Sequence, residues 1–243
     1  MKRIAFVLAL VIACSVAMSL AQDKSTLSTY RVFPKPGKDE ALKKAIAAHA
    51  AKYHTGNWKW RVFSVMSGSD EGSYQMNEGP NSWTTLEGRK DISEEHQRDY
   101  ETNVMPLVEK STPHAYLLLR REFSTDSVSN VFKKALLRHF YPKPGRGVRV
   151  METLGTWRKV WEKLGMRVTV WSSFFSGEPQ WVIAVRLQNG FVDLEQPMGK
   201  AMADKFDEIA GAGAYARFLD DLGQNVSRID EEIIELLPEL SSK

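Results

Sequence analysis

FPKPG at residues 33–37 returns as YPKPG at residues 141–145. The displacement that takes 33 to 141 also pairs Leu42 with Val150, Ile46 with Leu154, Tyr53 with Trp161, Val62 with Val170 and Trp83 with Phe191. Leu86-Glu87 fall on Leu194-Glu195 in the same register. One matched turn would mean little, but a register held over so many apolar positions predicts an internal duplication. Each copy is far longer than a solenoid repeat, so two similar subdomains packed on each other are expected rather than an array.

Working outward from the first turn, residues 29–34 are rich in strand formers. The prolines that follow end the pairing and delay any helix. From 39 to 53, Leu42, Ile46 and Tyr53 recur at helical spacing with Ala45 between them, and Gly56 closes the segment. Residues 58–66 alternate as a strand, 68–72 turn, and 73–78 return. Asp91 is a candidate N-cap for a helix from 92 to about 110, and 115–123 read as the fourth strand. The second copy gives strand 136–141, helix 148–164, strand 166–175, a turn at 176–179, strand 180–187, helix 198–222 and strand 228–237. Gly211 and Gly213 interrupt that last helix.

Each half therefore reads β-α-β-β-α-β, a ferredoxin-like unit with both helices on one face of a four-stranded sheet. The expected domains are 22–124 and 134–243, joined by a polar, serine-rich linker at 125–133. Strand 166–175 is apolar on both sides, with Val168, Val170 and Phe174 on one and Trp171 and Phe175 on the other. Helices cover one face, and the sheet of the other copy is the expected cover for the second. The expected fold class is α+β, two tandem units packed sheet to sheet as an intramolecular dimeric barrel.

Residues 1–21 follow secretory grammar: Lys2-Arg3, an apolar run from Ile4 to Met18, then Ser19-Leu20-Ala21. A run of about 15 apolar residues falls short of the ~20 needed to cross a bilayer. Cleavage after Ala21 would remove Cys14, the one cysteine of the chain, and with it any disulfide. Val11-Ile12-Ala13-Cys14 also loosely matches a lipid-attachment site, which is the alternative. An exported, periplasmic or secreted protein is expected. Without Lys2 and Arg3, the 33 basic residues exceed the 30 acidic ones by a single charge. The two signs are interspersed, so nothing recruits nucleic acid.

The strand ending in Lys35-Pro36-Gly37-Lys38, the helix after it, the aromatic strand ending near Ser67-Gly68, and the hairpin and helix beyond resemble the dimeric α+β barrel superfamily. That superfamily includes the antibiotic-biosynthesis-monooxygenase and NIPSNAP families, and the resemblance covers nearly the whole chain after residue 21. It implies a cleft between sheet and helices that takes polycyclic or haem substrates, commonly with an Asn, Trp and His set. Arg31 and His139 stand where the Asn would be sought. Two copies in one chain also resemble chlorite-dismutase-like haem proteins. Their haem histidine lies on a helix of the C-terminal half, whereas the second half here has only His139, on a strand.

Among single residues, His49 lies on the stripe of Leu42 and Tyr53 and faces the sheet, as a haem ligand, as a base or as a satisfied core histidine. Trp157 holds the matching place in the second copy. Arg31 and His139 are equivalent on the two first strands, either inside the fold or at a solvated rim. Trp58, Trp60, Arg61 and Trp171 sit on the equivalent long strands, as core filling or as rings that stack on a flat ligand. His54, His96 and His114 show no metal-ligand spacing, and no metal site is read. No nucleophile elbow, phosphate-binding glycine loop or dinucleotide fingerprint is present. The leading function is binding of a small flat apolar or aromatic molecule, with the pocket sought around His49, Tyr53 and Trp60. An oxygen-using or haem-handling enzyme and a protein-interaction module are the alternatives. Self-association of the fused unit stays open.

Overall fold

The computed structural model describes residues 24–89, 92–128, 131–195 and 200–243. The expected leader and its Cys14 lie outside them. Nine strands are present among the described residues: β1 (Thr26–Pro34), β2 (Trp60–Val65), β3 (Tyr74–Asn81), β4 (Val108–Ser111), β5 (Ala115–Leu119), β6 (Lys134–Pro142), β7 (Val168–Ser173), β8 (Gln180–Leu187) and β9 (Val226–Leu236). Six helices flank them: α1 (Asp39–Tyr53), α2 (Trp83–Glu87), α3 (Glu94–Asp99), α4 (Gly147–Lys163), α5 (Lys200–Ala210) and α6 (Ala214–Asn225).

All strand pairings are antiparallel, and the order β3-β2-β9-β6-β8-β7-β5-β1 closes through a further β3–β1 pairing, with β4 added beside β1. This is a closed eight-stranded barrel with its helices outside. It corrects the expectation of two separate four-stranded units packed face to face. A four-stranded sheet leaves two edges of unpaired backbone groups, and a barrel removes them. Here β2 joins β9 through Phe63 to Val65, and β5 joins β7 through Leu118 and Leu119.

Closure also explains strands that are apolar on both sides. Every residue of β7 is buried: Val168 and Val170 lie under α4, while Thr169 and Trp171 line the lumen. Lumen packing is apolar around Phe63, Leu137 and Ile234, and around Leu27, Leu117 and Trp171. Outside the barrel, α1 packs Leu42, Ile46 and Ala50 onto Val32, Val62 and Met76, and α4 packs Val150, Leu154 and Trp161 onto Val168, Val170 and Ile183.

The helix expected from 92 to about 110 is broken. Ser93 caps α3 by accepting the His96 N–H at 3.0 Å, the chain widens to a π-turn over Tyr100–Val104, and Met105–Leu107 tightens to a 3₁₀ turn before β4. Pro106 lacks an N–H and its ring crowds the Thr102 carbonyl, so a regular ladder cannot continue. The proposed cap Asp91 lies outside the described residues. Gly211 and Gly213, with φ of 101° and 71°, divide α5 from α6 as expected. Among the described residues, no helix is long and apolar enough to cross a membrane.

Candidate active site

The face of α1 that meets the sheet carries Leu42, Ile46, His49 and Ala50, the i, i+4, i+7, i+8 spacing of one helical stripe. His49 is 1% exposed, and His54, just past the end of α1, is fully buried. On α3, His96 and Asp99 are three residues apart and so share a face; that face meets α1. The three imidazoles converge: centroids lie 5.3 Å apart for His49 and His54, 4.8 Å for His49 and His96, and 5.2 Å for His54 and His96. One nitrogen from each ring falls within 4.8 Å of the other two.

Hydrogen bonds define what those nitrogens can do. His49 Nδ1 lies 2.7 Å from Asp99 Oδ2, and Asn103 Nδ2 donates to the other Asp99 oxygen at 2.9 Å. The His49 contact, with help from Asn103, holds the Asp99 carboxyl below its ordinary range, so it accepts and His49 Nδ1 carries the proton. His54 Nδ1 donates to the Trp58 carbonyl at 3.0 Å, since a carbonyl can only accept, with Glu78 Oε2 3.3 Å away. Burial pushes His49 down to about 4 against the pull of Asp99, and lowers His54 against the pull of Glu78. Both rings are thus neutral at pH 7, and Nε2 is the unprotonated, accepting nitrogen of each. His49 Nε2 is buried without a hydrogen-bond partner, and His54 Nε2 lies 3.3 Å from His96 Nε2.

Glu78 on β3 is gripped by Arg89, whose Nε and Nη2 donate to its two oxygens at 3.0 and 3.1 Å. Burial would raise Glu78, but His54 and Arg89 together hold it below its ordinary value. Trp60 stacks on His54 at 3.6 Å.

Beside this cluster is a cavity of about 220 Å³ between the barrel wall and α3. Its walls include Tyr30, Trp60, Tyr100 and His114, with Glu78, Arg89 and His96 contributing polar atoms. Tyr30 stacks on His114 at 4.2 Å and meets Trp60 edge-on at 6.1 Å. Burial raises both Tyr30 and Tyr100, which hydrogen-bond each other, so both stay protonated at neutral pH. Tyr116 lines the mouth and touches exposed Trp83, which in turn meets exposed Phe175. The space between α4 and the barrel wall is filled by Trp157, Trp161 and Phe218, leaving a void of about 20 Å³.

Of the residues singled out from sequence, His49, Tyr53 and Trp60 come together here, with Tyr53 5.1 Å from His49. Trp58 stands at the edge, under the Arg89 guanidinium at 5.5 Å. The other four lie in the lumen, away from the cleft. Arg61 and Trp171 border an internal cavity of about 70 Å³. Arg31 and His139 both bind Glu232: Arg31 Nη1 donates at 2.8 Å with a second contact from Nη2, and His139 Nε2 lies at 3.0 Å. Their side chains are 13% and 16% exposed, so they form an internal ion pair network and not a solvated rim. His54, His96, Asp99, Glu78, Arg89, Tyr30 and Tyr100 were not nominated from sequence. One signal pointed their way: four of the five histidines lie before residue 115.

No family model matches the sequence, and no curated protein does. Solved structures match in fold. An anthrone oxidase-like protein aligns with a TM-score of 0.55 at 12% identity, covering 88% of this chain and 92% of that one. A candidate monooxygenase from Lactobacillus acidophilus aligns at 0.51 and 10% identity, covering 90% and 96%. Chlorite dismutase from Candidatus Nitrospira defluvii, in complex with imidazole, aligns at 0.54 and 6% identity, covering 92% and 95%. The chain shares the overall fold of these solved structures.

Proposed function

We propose that the chain is an exported enzyme that binds a small hydroxyl-bearing aromatic molecule in the cleft beneath α3 and acts on it at the histidine end. The observation that carries this reading is the cavity itself, walled by aromatic rings and with hydroxyl, guanidinium and imidazole groups converging inside it. Such a combination of apolar walls and few directed polar groups suits a small ligand. The exposed rings of Trp83, Tyr116 and Phe175 offer a matching approach at the mouth. The oxidase and monooxygenase names of the fold relatives support an enzyme over a passive carrier, though likeness of fold does not transfer a reaction. A haem is disfavoured: the volume lies below the ~300–1,000 Å³ of drug-sized sites, and the bare nitrogen of His49 faces two other histidines.

The test is calorimetric titration of the purified protein with 1-naphthol, followed by oxygen-electrode measurements with the same compound. Saturable 1:1 binding, weakened in Trp60→Leu and Tyr30→Leu but not in Trp157→Phe, is expected. No saturable binding by the unmodified protein would remove the reading.

A further inference from the structure

We propose that His49, His54 and His96 form a binding site for one divalent transition-metal ion, with the remaining coordination position open to the cleft. The inference deepens the cleft reading, and rests on it only for what the ion would act upon.

The donor chemistry comes first. His49 and His54 each spend Nδ1 on an acceptor, Asp99 and the Trp58 carbonyl, which fixes the tautomer that leaves Nε2 unprotonated. Metal-binding imidazoles are held this way, with the far nitrogen donating to a carboxylate or backbone carbonyl. A buried acceptor without a donor, as at His49 Nε2, is costly unless something positive meets it. Two Nε2 atoms 3.3 Å apart also fit: metal–nitrogen bonds of about 2.0–2.1 Å at tetrahedral angles separate neighbouring nitrogens by roughly 3.3 Å.

The surroundings suit a cation. Asp99 and Glu78 stand directly behind His49 and His54, so two carboxylates would balance the ion while Arg89 is committed to Glu78. His96 is the one partly exposed ring of the three and borders the cavity, so the open position would face the cleft. Three protein nitrogens with one vacant position is the ligand count of catalytic rather than structural zinc sites, and imidazole equally suits iron, nickel and copper. The competing explanation is a packed, hydrogen-bonded histidine cluster that binds nothing.

The deciding experiment strips the full-length mature protein with a chelator and titrates it with Zn(II) by calorimetry and with Co(II) by visible absorption. One equivalent should bind, and Co(II) should show the intense ligand-field bands of a four-coordinate nitrogen site. His96→Ala, the replacement least disruptive to the core, should weaken binding beyond the roughly 10–100-fold expected for Asp99→Asn, whose effect is through His49. His139→Gln should bind as the unmodified protein does. Failure to take up either ion, or uptake undiminished in His96→Ala, overturns the site. Binding of 1-naphthol without metal uptake would overturn it while leaving the cleft reading standing, whereas metal uptake without 1-naphthol binding supports the site and removes that reading.

Discussion

Replacing Glu232 by glutamine tests the lumen network most directly. Glu232 is 6% exposed and receives Arg31 and His139. Burial alone would raise its carboxyl, but those two partners outweigh burial and bring it down to about 2 from an ordinary 4.5. The folded value is the lower one, so the stabilisation is fully present above about pH 4.5 and is lost as pH falls toward 2. A shift of that size corresponds to about 3 kcal/mol at pH 7. Glutamine keeps the shape but leaves Arg31 with Asp70, at 2.9 Å, as its one remaining carboxylate beside the neutral Gln75, and removing one partner of a buried ion pair costs ~3–5 kcal/mol. The expected loss is therefore about 3 kcal/mol, or roughly 6–12 °C in Tm for a chain of this size. Urea unfolding followed by circular dichroism at pH 7, 5, 4 and 3 measures it. The gap between the two proteins should close as the acid range is entered and should barely respond to added salt, because the pair is buried. A gap below about 1 kcal/mol at pH 7, or one still constant at pH 3, would refute the assignment of stability to this carboxylate.

Three further outcomes follow from the packing. Trp161→Ala, at a position 1% exposed on the buried face of α4, should cost ~3–5 kcal/mol in urea unfolding with little effect on 1-naphthol binding. Asp126→Asn should cost a similar ~3–5 kcal/mol, because Arg186, 6% exposed and 2.8 Å from that carboxylate, would lose its counter-ion in the lumen; differential scanning calorimetry would show it. Gly68→Ala should destabilise by about 1–3 kcal/mol, since φ is +92° there and the added carbon would sit 3.0 Å from Glu232 Cβ. Its unfolding midpoint, compared in Glu232→Gln and unmodified backgrounds, should show the two changes are not additive.

How much of this was legible in the sequence depends on how local each signal is. Helix α1 was readable to its ends, because Leu42, Ile46 and His49 mark one stripe and Gly56 a stop. The alternation over residues 58–66, which sets Trp60 and Arg61 on opposite sides of a strand, was equally local, although Trp58 lies in a turn just before that strand. Barrel closure was not, since it depends on which edges meet: β2 finds β9 across more than half the chain. The histidine cluster escaped for the same reason. Rules for metal-ligand spacing describe ligands on one helix or one loop, whereas His49, His54 and His96 come from a helix, the turn after it and a second short helix. The break at Pro106 hid that second helix inside a longer expected one. The repeated register set Arg31 and His139 on two expected first strands, but whether they faced water or the lumen depended on Glu232, from the last strand.

Residues 237–242 back the strand that forms one wall of the cleft. Leu237 donates its N–H to the Val62 carbonyl at 2.8 Å, Ser241 and Ser242 side chains accept from Val62 and Trp60 at 2.9 Å, and Leu240, 4% exposed, packs among Val32, Trp60 and Met76. The strand that carries Trp60 is therefore fastened by a residue 182 positions further along, so the cleft wall is complete only when segments far apart in sequence have met. Replacing Ser242, whose hydroxyl accepts the Trp60 N–H, would be felt first at the indole that lines the cavity.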